Sequence, residues 1–82
     1  MRIRKQELGD RNIIGARVEK IRKEKGMKQK DLLAQLQLAG MDINASGLSK
    51  LEGQVRSVPD YELVMISQVL DTDINTLLGL SE

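Results

Sequence analysis

Two helical patterns separated by a short connection make up residues 29–53, QKDLLAQLQLAGMDINASGLSKLEG. The first repeats apolar residues at the spacing of one helix face and ends before Gly40. In the second, Asn44 is a suitable N-cap and Gly53 a terminator for a helix over residues 45–52. The expected inward residues of the two helices are Leu32, Leu33, Leu36, Ala39, Leu48 and Leu51. Two helices joined by a short glycine-containing turn are typical of a helix-turn-helix.

Three further helices are predicted around this pair, over about residues 13–25, 59–70 and 74–78. Residues suited to cap or terminate helices flank these segments: Asn12, Gly26, Asp73 and Gly79. Their apolar faces contain Ile14, Val18, Ile21, Leu63, Ile66 and either Val69 or Leu70. Neither strand alternation nor an internal repeat competes with this pattern. The predicted fold class is therefore all-α, a compact bundle of five helices.

The two halves of the chain carry opposite charge. Residues 1–30 contain eleven Lys or Arg against four acids, a net charge of +7, whereas residues 31–82 contain two against eight, a net charge of −6. We expect residues 1–11 to form a basic N-terminal arm and residues 12–82 the folded domain. A chain polarised in this way can present a positive surface to a polyanion, although a solvated mixed-charge surface explains the charges equally well.

Composition excludes several classes of function. The absence of Cys and His removes disulfides, thiolate nucleophiles, histidine catalysis and the metal sites built on these ligands. With one Tyr and neither Phe nor Trp, the chain lacks the aromatic platforms that stack single-stranded bases, so a nucleic-acid partner should be duplex. A helical chain of 82 residues has little room for a pocket that excludes water. We expect no enzyme, no cofactor and no small-molecule ligand.

Membrane and metal partners are not expected either. No apolar run approaches the roughly 18–20 residues of a membrane span, and the N-terminus lacks the apolar stretch of a signal peptide. We therefore expect a cytoplasmic protein. Residues 71–82 imitate the ligand spacing of a calcium-binding EF-hand loop, but Thr76 stands where that loop needs Gly. Asp73 is better explained as a helix cap.

Several short motifs follow one another along the chain: Ile14-Gly15, Arg22, Lys25-Gly26-Met27, Gln29, the LSKLEG of residues 48–53, Arg56, and the apolar ending at Leu70, Ile74 and Leu77-Leu78. In this order and spacing the stretch 14–78 resembles the phage-repressor family of helix-turn-helix domains, the Cro-like or XRE-type regulators. The resemblance covers about four-fifths of the chain. It implies a lambda-repressor-like bundle in which helices two and three form the helix-turn-helix.

The resemblance also implies roles for individual side chains. Gln29 matches a glutamine that binds a backbone phosphate, and the flanking Lys28 and Lys30 make the start of helix two a small anion site. Gln54 and Arg56 match a loop that lies against phosphates or over the minor groove. The residues that match the base-reading face of the recognition helix are Asn44, Ala45, Ser46, Ser49 and Lys50. Of these, Asn44 would serve as a cap without touching DNA, and Lys50 could be an ordinary solvated lysine.

Two structural pairings follow from the same resemblance and from the apolar C-terminal end. Arg22 and Glu52 match a partly buried ion pair that ties helix one to helix three. One short recognition helix makes few base contacts, so we expect a homodimer. The residues expected at its interface are Ile74, Leu77 and Leu80.

The chain departs from the family pattern at three points. Lys28 stands where a Ser or Thr usually caps helix two, and Gly47 interrupts the recognition helix. The interval from Gln29 to Glu52 is roughly five residues longer than in the family pattern. The turn between the two helices of such a motif usually has only ~3–4 residues. We expect the extra residues to lengthen helix two and enlarge the connection, which alters the angle of the recognition helix.

The sequence therefore indicates a sequence-specific transcriptional regulator of double-stranded DNA, expected to act as a repressor and a homodimer. A phage repressor, a controller of a restriction–modification cassette and an antitoxin fit equally well. The rival hypothesis is a protein-interaction adaptor or antitoxin-type partner that uses the same fold without reading DNA. The net acidic charge of residues 31–82, which include the recognition helix, favours this rival.

Overall fold

The computed structural model describes residues 7–80 and confirms the all-α prediction: no strand occurs among them. Five helices follow one another in the order α1 Gly15–Glu24, α2 Gln29–Leu38, α3 Ala45–Glu52, α4 Asp60–Val69 and α5 Ile74–Leu78. Helix α3 packs against both α1 and α2, whereas α4 joins α2 to α5. The helix-turn-helix formed by α2 and α3 therefore rests on α1 on one side and on α4 on the other.

Side-chain caps begin α3 and α5 where the sequence predicts them, and Asn12 binds the first turn of α1 from two residues before its N-cap Ile14. The Asn44 Oδ1 atom accepts a hydrogen bond of 2.7 Å from the Gly47 N–H, and the Asp73 Oδ1 atom accepts one of 2.8 Å from the Thr76 N–H. At the start of α1, the Asn12 Oδ1 atom accepts hydrogen bonds from two backbone N–H groups. These bonds satisfy donors that a helix N-terminus leaves without an intrahelical partner.

The hydrophobic core draws on all five helices and on the α2–α3 connection. Its buried side chains are Ile14, Val18, Leu32, Leu36, Met41, Ile43, Leu48, Leu51, Ile66, Leu70 and Leu77. Ala39, predicted to point inward, is exposed because α2 ends at Leu38, one residue earlier than expected. Met41 and Ile43, in the connection between α2 and α3, are buried in the core instead of Ala39. The sequence did not indicate these two residues as core.

Glycines terminate the helices as predicted, with one exception. Gly26, Gly40 and Gly79 adopt left-handed conformations, with φ of 72°, 101° and 79°. After α3, however, Gly53 keeps a φ of −82° and the left-handed residue is Gln54, with a φ of 63°. A non-glycine residue pays a steric penalty in this conformation. The Gln54 side chain compensates through its hydrogen bonds to Gly9 and Ala16.

Residues 9–11, assigned to the arm by the sequence, lie against the end of α3. The Gly9 N–H donates to the Gly53 carbonyl and the Arg11 N–H to the Gln54 carbonyl, each at 2.9 Å. The Gln54 carboxamide completes this seam, since its Nε2 donates to the Gly9 carbonyl and its Oε1 accepts from the Ala16 N–H. The packed part of the chain thus includes Gly9, whereas residues 1–6 of the expected arm lie outside the described residues.

Gly15 allows α1 to approach α3 at backbone distance, which generates a stability prediction. A Cβ atom at this position would overlap the Leu51 and Glu52 carbonyl oxygens. We expect Gly15→Ala to cost the upper part of the roughly 1–3 kcal/mol typical of overpacking. For a domain of this size, the melting temperature should fall by more than about 10 °C.

The control is Gly26→Ala, where a Cβ atom meets open space and only the left-handed conformation is strained. Thermal melting followed by circular dichroism should place Gly26→Ala between wild type and Gly15→Ala. Equal melting of Gly15→Ala and wild type would contradict the close approach of α1 and α3.

Candidate nucleic-acid interface

Helix α3 separates its residues cleanly into a buried and an exposed side. Leu48 and Leu51 are 1% and 0% exposed. On the opposite side, the exposed residues are Ala45, Ser46, Ser49 and Lys50, all of them predicted to read bases. Asn44 is exposed too, although its Oδ1 atom is engaged in capping. The structure thus brings the predicted recognition residues together on one accessible surface.

The connection between α2 and α3 is enlarged, as the sequence indicates, and firmly held. It comprises residues 39–44, two of which, Met41 and Ile43, insert their side chains into the core. The Gln37 Nε2 atom also donates a hydrogen bond of 2.9 Å to the Ile43 carbonyl. These contacts fix the position at which Asn44 starts α3.

A buried ion pair fixes the other end of α3. The Arg22 Nε and Nη2 atoms donate to the two Glu52 carboxylate oxygens at 2.7 and 3.0 Å. Both residues are almost fully buried, at 4% and 1% exposure. The Arg22 Nη1 atom donates further to the Met27 carbonyl, in the turn that leads to α2. This bidentate geometry is the strongest form of an arginine–carboxylate contact.

The start of α2 supplies the residues expected to bind phosphate. Lys28 and Lys30 are exposed, and Gln29 is half-buried with its Nε2 atom donating to the Glu52 Oε1 atom at 2.9 Å. Lys28 offers no cap of its own, but its backbone N–H donates to the Asp31 carboxylate at 2.9 Å. Asp31 thereby satisfies one of the N-terminal donors of the helix.

The polar side chains of the loop after α3, predicted to contact phosphate, make hydrogen bonds within the domain. Gln54 uses its carboxamide in the seam to Gly9, and Arg56 pairs with the buried Glu62 of α4, Nη1 to Oε1 at 2.7 Å. The hydrogen bond that the Arg56 guanidinium donates to the Glu62 carboxylate raises the pKa of Arg56 above its ordinary value. The Asn12 Nδ2 atom donates to the Arg56 carbonyl as well. Both side chains predicted to contact phosphate therefore form hydrogen bonds within the domain.

An open, polar depression of about 380 Å³ lies where α1, α2 and α3 meet. Its lining residues are Glu19, Arg22, Lys23, Lys28, Gln29, Ser49 and Glu52. Glu19 and Lys23 are not among the residues that the sequence predicts for any site, although their four-residue spacing on α1 is typical of a helical ion pair. The pair forms, with the Lys23 Nζ atom 3.2 Å from the Glu19 carboxylate.

The three residues expected at a dimer interface differ in their exposure. Leu77 is fully buried in the core, so its side chain is not available to a second chain. Ile74 is half-buried, and Leu80 is 71% exposed. The sequence could not separate these three residues, because the buried side of the short α5 is set by its contact with α4.

A family model for the Cro/C1-type helix-turn-helix DNA-binding domain matches residues 17–82. The chain belongs to this family. The match establishes a helix-turn-helix DNA-binding domain of the regulator class, in agreement with the exposed face of α3. Neither a curated protein nor a solved structure matches the chain significantly.

No helix within residues 7–80 is long and apolar enough to cross a membrane. The same residues contain no group of three or more His, Cys, Asp or Glu side chains that could hold a metal ion. Asp73, in the segment similar to a calcium loop, is the cap of α5.

The Arg22–Glu52 pair generates a stability prediction for the Cro/C1-type domain. Removal of one partner leaves the other charge buried, which costs about 3–5 kcal/mol. We therefore expect Glu52→Gln and Arg22→Met each to lower the free energy of unfolding by roughly 3 kcal/mol in urea denaturation.

The matched control is Lys23→Met, because the Lys23–Glu19 contact is a partly exposed ion pair on the same helix. Exposed pairs contribute about 0.2–1 kcal/mol, so this variant should stay within ~1 kcal/mol of wild type. If both substitutions in the buried pair also stayed within that range, the pair would not hold α3 in place.

Proposed function

We propose that this chain is a transcriptional repressor that binds a specific sequence in double-stranded DNA as a homodimer. The single observation that supports the proposal is the solvent-exposed side of α3, on which Ala45, Ser46 and Lys50 lie. A helix of this kind fits the major groove of B-DNA, where each base pair presents a distinct set of donors and acceptors.

The exposed side chains have the chemistry needed for base reading. The Lys50 ammonium can donate to guanine O6 or N7, the Ser46 hydroxyl can donate or accept, and the Ala45 methyl group can contact a thymine methyl. Lys28 and Lys30, exposed at the start of α2, are suited to neutralise backbone phosphates. We assign Gln54 and Arg56 to holding the loop after α3, since their side chains are engaged within the domain.

A homodimer is proposed because α3 is only eight residues long and contains Gly47, which has no side chain to contribute. One such helix makes few base contacts, and a second copy at a fixed distance raises affinity through effective concentration. We assign the interface to the apolar C-terminal end, where Leu80 is 71% exposed and Ile74 is half-buried. Two-fold symmetry then requires an operator with inverted half-sites about 10 bp apart.

Lys50 supports a test of base reading. We expect Lys50→Ala to relax the preference at one base position, a loss of ~1–3 kcal/mol of discrimination, in selection from a random duplex library. Lys20→Ala removes the same charge from an exposed position on α1 outside the recognition surface and should leave the selected motif unchanged. A motif preserved at every position in Lys50→Ala would mean that this lysine does not read bases.

Leu80 supports a test of the dimer. Leu80→Glu should give a folded monomer in sedimentation velocity that retains weak, salt-sensitive DNA association but loses high-affinity operator binding. Leu38→Glu is the matched control, because Leu38 is 88% exposed at the end of α2 and lies outside the proposed interface. A wild-type monomer at micromolar concentration, together with a non-palindromic selected site, would overturn the homodimer.

The adaptor hypothesis retains one specific observation in its favour. Residues 57–82 contain neither Lys nor Arg to attract a polyanion. In the same segment, the apolar surface of Tyr61 and Val64 on α4 is 64% and 41% exposed and could contact a protein. A salt titration of binding to random-sequence duplex separates the two functions. A DNA reader loses affinity steeply as salt rises, whereas an adaptor shows almost no salt dependence.

A further inference from the structure

Helix α4 carries apolar residues on the side that faces solvent as well as on the side that faces the core. Its inner side contributes Ile66, which is fully buried, and the half-buried Leu63. On the outer side, Tyr61 is 64% exposed and Val64 is 41% exposed. A surface helix ordinarily has polar residues on its outer side, and a helix that is apolar on both sides is ordinarily buried on both. The outer side of α4 therefore has the composition of a contact surface.

The outer residues of α4 form one continuous stripe. Four of them follow the i, i+3, i+4, i+7 spacing that places residues on one face of a helix: Tyr61, Val64, Met65 and Gln68. We call these four residues the α4 face. Met65 is half-buried at its edge, where its terminal methyl group lies beside Gly40 at the end of α2. Tyrosine and methionine are enriched in protein interfaces relative to the rest of the surface, so the α4 face is suited to bind another protein.

Carboxylates stand at both ends of the α4 face. The exposed Asp60 is the first residue of α4, and the exposed Asp71 is the second residue after the helix. Eleven positions correspond to about 16 Å at a helical rise of 1.5 Å per residue. Residues 57–82 contain neither Lys nor Arg, and the cation that precedes them in the chain, Arg56, is paired with the buried Glu62. The α4 face is therefore complementary to a partner that carries positive charge.

We propose that the α4 face binds a basic amphipathic helix of a partner protein. The apolar stripe of that helix packs on Tyr61 and Val64, which is a common mode of peptide recognition. Lys or Arg residues about three turns apart on the partner helix pair with Asp60 and Asp71. Duplex DNA does not fit this site, because carboxylates repel phosphates. The site shares no residue with the exposed side of α3, so it adds a protein partner to a DNA-binding chain.

A second copy of this chain fits the α4 face less well than such a partner. Its basic helix α1 supplies cations without an apolar stripe, because the exposed residues of α1 are all charged: Arg17, Lys20, Lys23 and Glu24. The apolar side of α1, with Val18, is buried in its own core. The exposed Leu80 lies in the segment that has carboxylates but no cations, and it would bring like charge to the α4 face.

Tyr61 makes the test direct, because it is the only aromatic residue of the chain and its ring gives the only aromatic side-chain signals in proton NMR. The probe is a peptide of about 14 residues with Leu at the i, i+3, i+4, i+7 spacing and Lys elsewhere. Its addition should shift the Tyr61 signals. One control peptide has Glu in place of Lys, and another has the same Lys and Leu in scrambled order. Both should bind at least about tenfold more weakly in isothermal titration calorimetry.

Two variants locate the peptide on the α4 face and keep the Tyr61 signals. Val64→Ser should weaken binding of the Lys peptide about threefold or more, because less apolar surface is buried. Asp71→Asn should weaken it about two- to fivefold, the range of an exposed ion pair. Asn tolerates the φ of 52° at this position. The matched control is Leu38→Ser, which removes an 88% exposed apolar side chain at the end of α2 and should bind the peptide like wild type.

Three results would overturn the site: Tyr61 signals that do not move, equal binding of the Lys and Glu peptides, or equal weakening by Leu38→Ser and Val64→Ser. Tyr61 signals that shift with protein concentration in the absence of peptide, and no longer do so in Val64→Ser, would assign the α4 face to a second copy and overturn the proposal as well. Duplex binding should stay at the wild-type level in all three variants. The DNA-binding function is thereby tested separately, since it fails only if wild-type protein shows no salt-dependent duplex binding.

Discussion

The arrangement of the helix-turn-helix depends on the guanidinium group of Arg22. This group donates to Glu52 at the end of α3, to the Met27 carbonyl after α1, and through Glu52 it is linked to Gln29 at the start of α2. Burial of two charges carries a large desolvation penalty, so the pair is favourable only when its geometry and its additional hydrogen bonds are complete. A small shift of α3 would break several of these bonds together. The pair therefore selects one orientation of α3 among the many that an apolar contact would tolerate.

The α2–α3 connection makes the opposite end of α3 equally well defined. A long turn would ordinarily add conformational freedom, but the buried Met41 and Ile43 hold these six residues against the core. The hydrogen bond from Gln37 to the Ile43 carbonyl restricts the backbone just before Asn44. Since both ends of α3 are fixed, its exposed face can act as a rigid recognition surface, which reduces the entropy lost on binding.

Local signals account for what the sequence could predict. The number and type of the helices follow from apolar periodicity and from caps such as Asn44 and Asp73, because both depend on residues a few positions apart. The Arg22–Glu52 pair could be anticipated only through the family resemblance, which encodes the tertiary contact. The partners of Gln54 and Arg56 had no such signal, because each contact joins segments brought together by the finished fold. For the same reason the sequence could not reveal that Leu77 is buried and that Lys23 borders the depression.

The seam between residues 9–12 and the end of α3 has a consequence for the order of folding. Its hydrogen bonds join residues 39 to 45 positions apart, including those from Asn12 to Leu51 and from Gln54 to Gly9. Loop-closure entropy opposes contacts of this separation until other interactions have brought the segments together. The N-terminal residues should therefore dock after α1, α2 and α3 have assembled, and they should detach before the core opens. Native-state hydrogen exchange would detect this as faster exchange of the Gly9 and Arg11 amides than of the amides in α3.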